Sequence, residues 1–290
     1  MNRRKFLSLV AALPVISNLS HVSAQDSASV DSFAKLQVGV MDKKNAPQLA
    51  KVGFNYLELY ASRELVPDKD EKVFDEKLPG LKSLALPLSF LNGFIGAEIP
   101  MVGPNADHDK VENWAKNIFT RAHKLGVKVV TIGSGAARRC PKDFEIAKAR
   151  DQFSTLLGRI SKVAQDNNVQ VTIENLNSGE TNLCNSIAES LQVVTAAGPN
   201  VFLTADLFHM LRENDPPSEL LKGKGRIIHC HVAEKELRTS PGTKGDDFRP
   251  YLRVLKQIGY NGSFSFECNW SKSVSPDKAL AEFRNQLATL

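Results

Sequence analysis

From residue 35 onward the 290-residue chain alternates short β-rich runs with longer amphipathic stretches, and it does so eight times. The runs are Leu36–Met41, Phe54–Tyr60, Pro87–Leu91, Val127–Ile132, Val169–Glu174, Val201–Asp206, Arg226–Val232 and Ser263–Glu267. Between them apolar residues recur at three- and four-residue spacing, as in Val111–Leu125, Asp143–Asp166 and Asp247–Ile258, the period of a helix with one buried face. Gly53, Gly126, Asn167, Asn168, Gly198, Gly225 and Gly259 stand where helical patterns give way to strands, the usual C-terminal punctuation of a helix. Strands joined through helices pair in parallel, and eight of them at this length close most simply into a single-domain α/β structure, the (β/α)8 TIM barrel. An open doubly wound sheet would carry a glycine-rich phosphate turn after an early strand, and the chain has neither G-x-G-x-x-G nor a P-loop.

The barrel is expected over residues 35–290, after a polar leader at 25–34 and an export signal at 1–24. Arg3, Arg4 and Lys5 precede an apolar stretch from Leu7 to Leu19, which is followed by the small-residue site Val22-Ser23-Ala24. A basic head, an apolar middle too short to span a bilayer and a small-residue end make a cleavable signal peptide rather than a stable membrane anchor. The adjacent arginines before Phe6-Leu7 resemble a twin-arginine signal, which implies the twin-arginine export machinery as a partner and, in a Gram-negative source, a periplasmic location. Without Arg3, Arg4 and Lys5 the chain carries 34 basic against 32 acidic residues, so no nucleic-acid footprint remains. Cys140, Cys184, Cys230 and Cys268 show no C-x-x-C or zinc-finger spacing. Free, buried thiols are expected, with Cys230 and Cys268 the pair to inspect.

In a barrel of this kind the chemistry sits where strands end and βα loops begin. Those ends are Glu58, Asn92, Gly133-Ser134, Glu174, Asp206, His231 and Glu267, so the last four strands each finish on a potential metal ligand. Alternation along a strand puts Gln170, Thr172 and Glu174 on one face and Val169, Val171 and Ile173 on the other. The same split joins Thr204 to Asp206, His229 to His231 and Ser265 to Glu267. One acidic strand end is usually a helix cap or a salt bridge; four in register, all facing inward, specify a site. Three carboxylates and an imidazole form an oxygen-rich donor set that favours one divalent ion, Mn²⁺, Mg²⁺ or Co²⁺, with Zn²⁺ also compatible. Thr172, Thr204, His229 and Ser265, one step beneath the ligands, are expected to orient them through hydrogen bonds.

These residues resemble the sugar phosphate isomerase/epimerase family, whose fold is the xylose-isomerase-like TIM barrel. The matching motifs are residues 169–177 (VQVTIENLN) with Glu180, the D-x-x-H element Asp206 to His209, residues 227–234 (IIHCHVAE), the loop from Arg238 to Phe248 (RTSPGTKGDDF), and residues 259–267 (GYNGSFSFE). Two departures stand out: one extra residue between His231 and Arg238, and one extra before the second glycine of 241–245. The resemblance implies that Glu174, Asp206, His231 and Glu267 hold the metal and that Glu174 and Glu267 also serve as acid and base. His209 and Arg238 then grip substrate oxygens and Glu180 accepts a sugar hydroxyl. Two further positions divide between substrate contact and structure: Trp270 either stacks on a sugar face or packs, and Glu58 either orients substrate or bridges to a lysine. Phe90, Phe94 and Ile95 are expected in the core, His108 and His123 at the surface, and His229 beneath the ligands.

The activity this implies is sugar isomerisation or epimerisation through an enediolate, on a small sugar or keto-sugar. Export turns the expected substrate away from sugar phosphates, for which no phosphate cradle is visible. A lyase or dehydratase acting on a keto-sugar, keto-glycoside or inosose uses the same metal and bases and stays open. A noncatalytic periplasmic sugar-binding protein is a reading from another class, disfavoured by the presence of both bases. Apurinic endonucleases share the barrel but need additional histidines on earlier strands, and here the third and fourth strands end in Asn92 and Gly133-Ser134. Oligomeric state, a homo-oligomer included, is left open.

Overall fold

The structure, a computed structural model, describes residues 32–290; the expected export signal and the leader through residue 31 lie outside the described residues. Eight strands form a closed parallel barrel in which each pairs with the next and the last returns to the first. They are β1 Val38–Val40, β2 Leu57–Tyr60, β3 Leu88–Asn92, β4 Val129–Ile132, β5 Gln170–Glu174, β6 Val201–Asp206, β7 Ile227–Val232 and β8 Ser263–Phe266. Around them run α1 Ala46–Val52, α2 Ala61–Glu64, α3 Glu71–Lys82, α4 His108–Leu125, α5 Ile146–Asp166, α6 Ile187–Ala197, α7 Leu207–Glu213, α8 Arg249–Gln257 and α9 Pro276–Ala288. No helix among the described residues is long and apolar enough to cross a membrane.

The helices form for local reasons that the sequence states. In α4, Val111, Ala115, Ile118, Phe119 and Ala122 share one buried face. Asp107 caps its first turn by accepting from the Lys110 amide, and Gly126 closes the last turn at φ 80°. The helix begins at His108 rather than at Val111 because that cap lies upstream of the apolar periodicity. Ser186 caps α6 in the same way through the Glu189 amide.

Strand alternation sorts the two layers as expected. Val171, Ile173, Leu203, Ala205, Cys230 and Val232 join the apolar shell between sheet and helices, while Thr172, Thr204 and His229 are buried inside the barrel. Every strand lies at its expected place, but only β6 keeps both expected ends; the others are trimmed or shifted by one to three residues, and two of these differences bear on the site. β2 starts at Leu57, although Asn55 already meets β1, its amide donating to the Val38 carbonyl at 2.8 Å and its Oδ1 accepting from the Val38 amide at 2.8 Å. β3 runs on to Asn92, which pairs with Tyr60 and so stands level with the site.

The four cysteines are free. Cys230 and Cys268 form no bridge, and burial raises the Cys230 thiol to about 12 and Cys184 to about 11, which leaves both unreactive.

Candidate metal centre and active site

Strands β5 to β8 deliver Glu174, Asp206, His231 and Glu267 to one point at the C-terminal mouth of the barrel. One ligand atom from each lies within 4.8 Å of the others. Register explains part of this: Asp206 and His231 are paired neighbours across β6 and β7. His231 Nδ1 lies 2.7 Å from Glu174 Oε1, 3.0 Å from Glu267 Oε2 and 3.8 Å from Asp206 Oδ2. Asp206 is both cap and ligand candidate, since its Oδ1 accepts from the His209 amide at 3.1 Å to start α7 while Oδ2 faces the cluster.

Beneath His231 sits Glu58, fully buried, with Oε1 3.0 Å from His231 Nε2 and Oε2 2.8 Å from His229 Nε2. When Nε2 donates to Glu58, a neutral ring turns its Nδ1 lone pair toward three carboxylates. A neutral ring in that position is repelled. The ring must be protonated or a cation must lie between them. Burial opposes the first solution, yet Glu58 and Glu174 still push His231 well above the usual histidine range. Burial and then Glu174 likewise push Asp206 well above the usual carboxylate range. Asp206 Oδ2 and Glu267 Oε2 are buried without a hydrogen bond of acceptable geometry, although Arg238 Nη2 lies 2.9 Å from the latter. Excess negative charge, two orphaned carboxylate oxygens and an imidazole lone pair aimed at one point fit a divalent cation.

The mouth is a cavity of about 150 Å³ lined by Tyr60, Asn92, Gly93, Gly133, Glu174, Leu176, Glu180, His209, Arg238 and Glu267. Asp206 and His231 are fully buried beside the lining carboxylates of Glu174 and Glu267. Glu174 divides its two oxygens, with Oε1 toward His231 and Oε2 toward the cavity within 3.3 Å of Asn92 Nδ2. Burial works to raise Glu174, but the charge and hydrogen bond of His231 outweigh it and hold this carboxyl low, at about 2. His209 Nδ1 accepts from the Asn177 amide at 3.1 Å, and an amide can only donate. The ring therefore carries its proton on Nε2, which is buried, unpartnered, and 3.4 Å from Asp206 Oδ2. Burial lowers His209 to about 3 against the opposing pull of Glu174, so the ring is a neutral donor. Arg238 stacks on Phe208 at 4.7 Å and reaches Glu267, Asp206 and Glu180 at 2.9, 3.5 and 3.7 Å. Burial disfavours its charge, but Glu267 and Asp206 lead the carboxylates that keep it a cation.

Of the residues singled out in the sequence, Glu174, Asp206, His231, Glu267, His209, Arg238 and Glu180 converge here. Two do not. Glu58, expected against substrate or a lysine, is sealed under the cluster because both its oxygens are taken by histidines. Trp270, expected on a sugar face or in packing, stands outside the cavity, edge-on to Phe54 at 6.5 Å. It turns away because residues 270–272 form a short 3-10 turn after the last strand. The polar layer exists but bonds differently from the expectation. Thr131, Thr172 and Thr204 share their hydroxyls at 2.7 to 3.1 Å, Ser265 meets the Tyr56 hydroxyl at 3.1 Å, and only His229 reaches a ligand, through Glu58.

Several residues of the site went unassigned in the sequence. Asn92 and Gly133 were visible as strand ends, which was their signal. Arg138 had none: it is buried in a loop and donates from Nη1 to the Ile132 carbonyl and from Nη2 to that of Glu174, tying the ends of β4 and β5 together. Asn175 exchanges two hydrogen bonds with the Asp206 backbone, at 2.9 and 3.1 Å, and so fixes the ends of β5 and β6.

The structure is thus a parallel barrel whose C-terminal mouth carries an acidic, histidine-bearing cluster that could hold a metal ion. The xylose isomerase-like TIM barrel family model matches residues 47–288, and the chain belongs to that family. An L-ribulose 3-epimerase of Methylomonas sp. (strain DH-1) is 33% identical over 131 residues, which is 44% of this chain and 46% of that protein. The matched stretch thus spans about half the length of that relative. Among solved structures, the 3-keto-D-glucoside 4-epimerase of E. coli is similar with a TM-score of 0.68 at 18% identity, over 88% of this chain and 98% of that one. A D-psicose 3-epimerase from Clostridium cellulolyticum H10, solved with D-tagatose, gives 0.69 at 20% identity over 88% and 95%. At such identities the two structures establish the shared fold.

Proposed function

We propose that the protein is a divalent-metal-dependent epimerase of a non-phosphorylated ketose or keto-sugar, with Glu174 and Glu267 as its acid and base. The observation that carries this reading is that both carboxylates belong to the four-residue cluster and also line the cavity. A cation held by Glu174, Asp206, His231 and Glu267 supplies Lewis acidity toward a carbonyl and its neighbouring hydroxyl, which acidifies the hydrogen on carbon between them. Manganese, magnesium or cobalt suits the three carboxylates best.

The chain's own residues account for the rest. Glu174 Oε2, turned into the cavity by Asn92, takes the carbon-bound proton or returns it. Glu267, three strands further round the barrel, approaches from another side and does the converse. Return from the opposite face inverts the carbon. His209 Nε2–H and the Arg238 guanidinium donate toward the oxygens that gain charge as the proton leaves, and Glu180 accepts from a hydroxyl at the mouth. The cavity of about 150 Å³ beside the cluster is the space open to such a substrate. Among the described residues its one lining cation, Arg238, already faces three carboxylates, which disfavours a phosphate there. The L-ribulose 3-epimerase relative supports inversion at the carbon beside a ketose carbonyl.

The test is metal analysis of the purified protein, followed by an NMR screen of ketoses and keto-sugars in D₂O. Label entering at one carbon with a new epimer is expected. Loss of a β-substituent instead establishes a lyase, and binding without exchange establishes a noncatalytic sugar-binding protein. Glu174→Gln and Glu267→Gln should each abolish exchange with the fold intact; full exchange in either sinks the two-base scheme. We also infer twin-arginine export from residues 1–24, tested by fusing them to a reporter that is active only after folded export.

A further inference from the structure

The loop that carries Arg238, residues 233–248 between β7 and α8, holds both departures from the family's motif. It is organised around one buried side chain, Glu234. Its Oε1 accepts from the amides of Gly242 at 2.9 Å and Gly245 at 3.0 Å. Its Oε2 accepts from the Lys244 amide at 2.5 Å and the Thr239 hydroxyl at 2.8 Å. Its own amide donates to the Thr239 carbonyl at 2.7 Å, closing a six-residue turn from 234 to 239. Inside that turn Leu237 and Arg238 take φ values of 59° and 53°, a left-handed pair without glycine. Such residues are strained and persist only where their surroundings over-determine them. Lys244 and Gly245 point consecutive amides at the same carboxylate.

We infer that Glu234 is a positioning residue for Arg238: its carboxylate holds the loop in the strained turn that places the guanidinium over the cavity. This rests on the proposed role of Arg238 in gripping substrate. Burying a carboxylate is costly, and an apolar anchor would secure a loop more cheaply. What the carboxylate adds is four convergent acceptor bonds that dictate one backbone path. The far side of the turn is pinned to the mouth, where the Arg238 carbonyl accepts from the Asn269 amide at 2.7 Å and Arg238 Nε donates to the Glu267 carbonyl at 3.0 Å. Glutamine at 234 would turn an NH₂ group toward amides that can only donate, so part of the knot must open.

The test compares wild type with Glu234→Gln, Glu234→Asp, Arg238→Ala and the Glu234→Gln/Arg238→Ala double variant, all metal-loaded. Glu234→Gln should raise KM about tenfold, the loss of about one hydrogen bond to a charge, while kcat changes less. In the Arg238→Ala background the same change should leave KM where it was. Independently of turnover, the rate at which phenylglyoxal modifies Arg238, read by peptide mass mapping, should rise about tenfold in Glu234→Gln on the same hydrogen-bond arithmetic, with exposed Arg253 as the unchanged control. Glu234→Asp, which keeps the charge, should fall between the two. An unchanged Arg238 labelling rate in both position-234 variants overturns the inference, as does a KM effect of equal size in the Arg238→Ala background. If wild type turns over no ketose, the functional reading fails and the labelling arm still decides this one.

Discussion

Gly133→Ala is the sharpest probe of the site. An added Cβ at residue 133 would lie 2.0 Å from Glu174 Oε2 and 2.5 Å from Asn92 Oδ1. Restoring an ordinary contact of 3.4 Å moves the Glu174 oxygen by about 1.4 Å if that side chain alone gives way. The backbone has no reason to object, because Gly133 is not among the positive-φ glycines. Relieving two buried clashes should cost about 1 to 3 kcal/mol of stability, and the carboxylate that is proposed to move the proton leaves its place. Misplacing a reacting group by about 1 Å can cost about 100-fold, or about 2.7 kcal/mol in the barrier. Deuterium wash-in with a ketose substrate, run beside thermal denaturation, reads both quantities. Turnover within about threefold of wild type would refute the claim that the position of Glu174 Oε2 limits the chemistry.

Three further outcomes follow from the same geometry. Glu58→Gln keeps the shape but accepts from only one of His229 and His231, so metal affinity measured by chelator competition should fall about 10- to 100-fold; an unchanged affinity would show that His231 needs no such support. Thr204→Val breaks the hydroxyl ring with Thr131 and Thr172 without touching a ligand, and should cost about 1 kcal/mol of stability in urea titrations at unaltered metal affinity. His209, lowered by burial to about 3 from 6.5, lets the unfolded chain take up its proton first as pH falls. Its contribution is thus complete above about pH 6.5 and is lost toward pH 3, by up to about 1.4 kcal/mol per pH unit. Metal-free His209→Gln should lose that part of the acid slope between pH 6 and 5, and an identical slope in the two proteins would contradict it.

How much of this was legible in the sequence depends on range. Period-2 and period-3.6 patterns and helix-ending glycines such as Gly126 are local, and local sterics and hydrogen bonding read them directly. They were enough for the barrel, and for four ligand candidates at four successive strand ends, because alternation alone decides which side of a strand faces inward. Glu58 shows where that reasoning stops: alternation put it inside, but its partners His229 and His231 lie 171 and 173 residues away. Only closure of the barrel decides that it meets two histidines rather than a sugar or a lysine. Trp270 and Arg238 mark the same limit in loops. A 3-10 turn carries the tryptophan out of the site, and a left-handed turn knotted on Glu234 carries the arginine in. By itself, then, the sequence determined which residues face the inside of a closed barrel. Tertiary structure decided which of them touch, because contacts between distant strand ends are set by register, and contacts from loops by hydrogen bonds that no local pattern encodes.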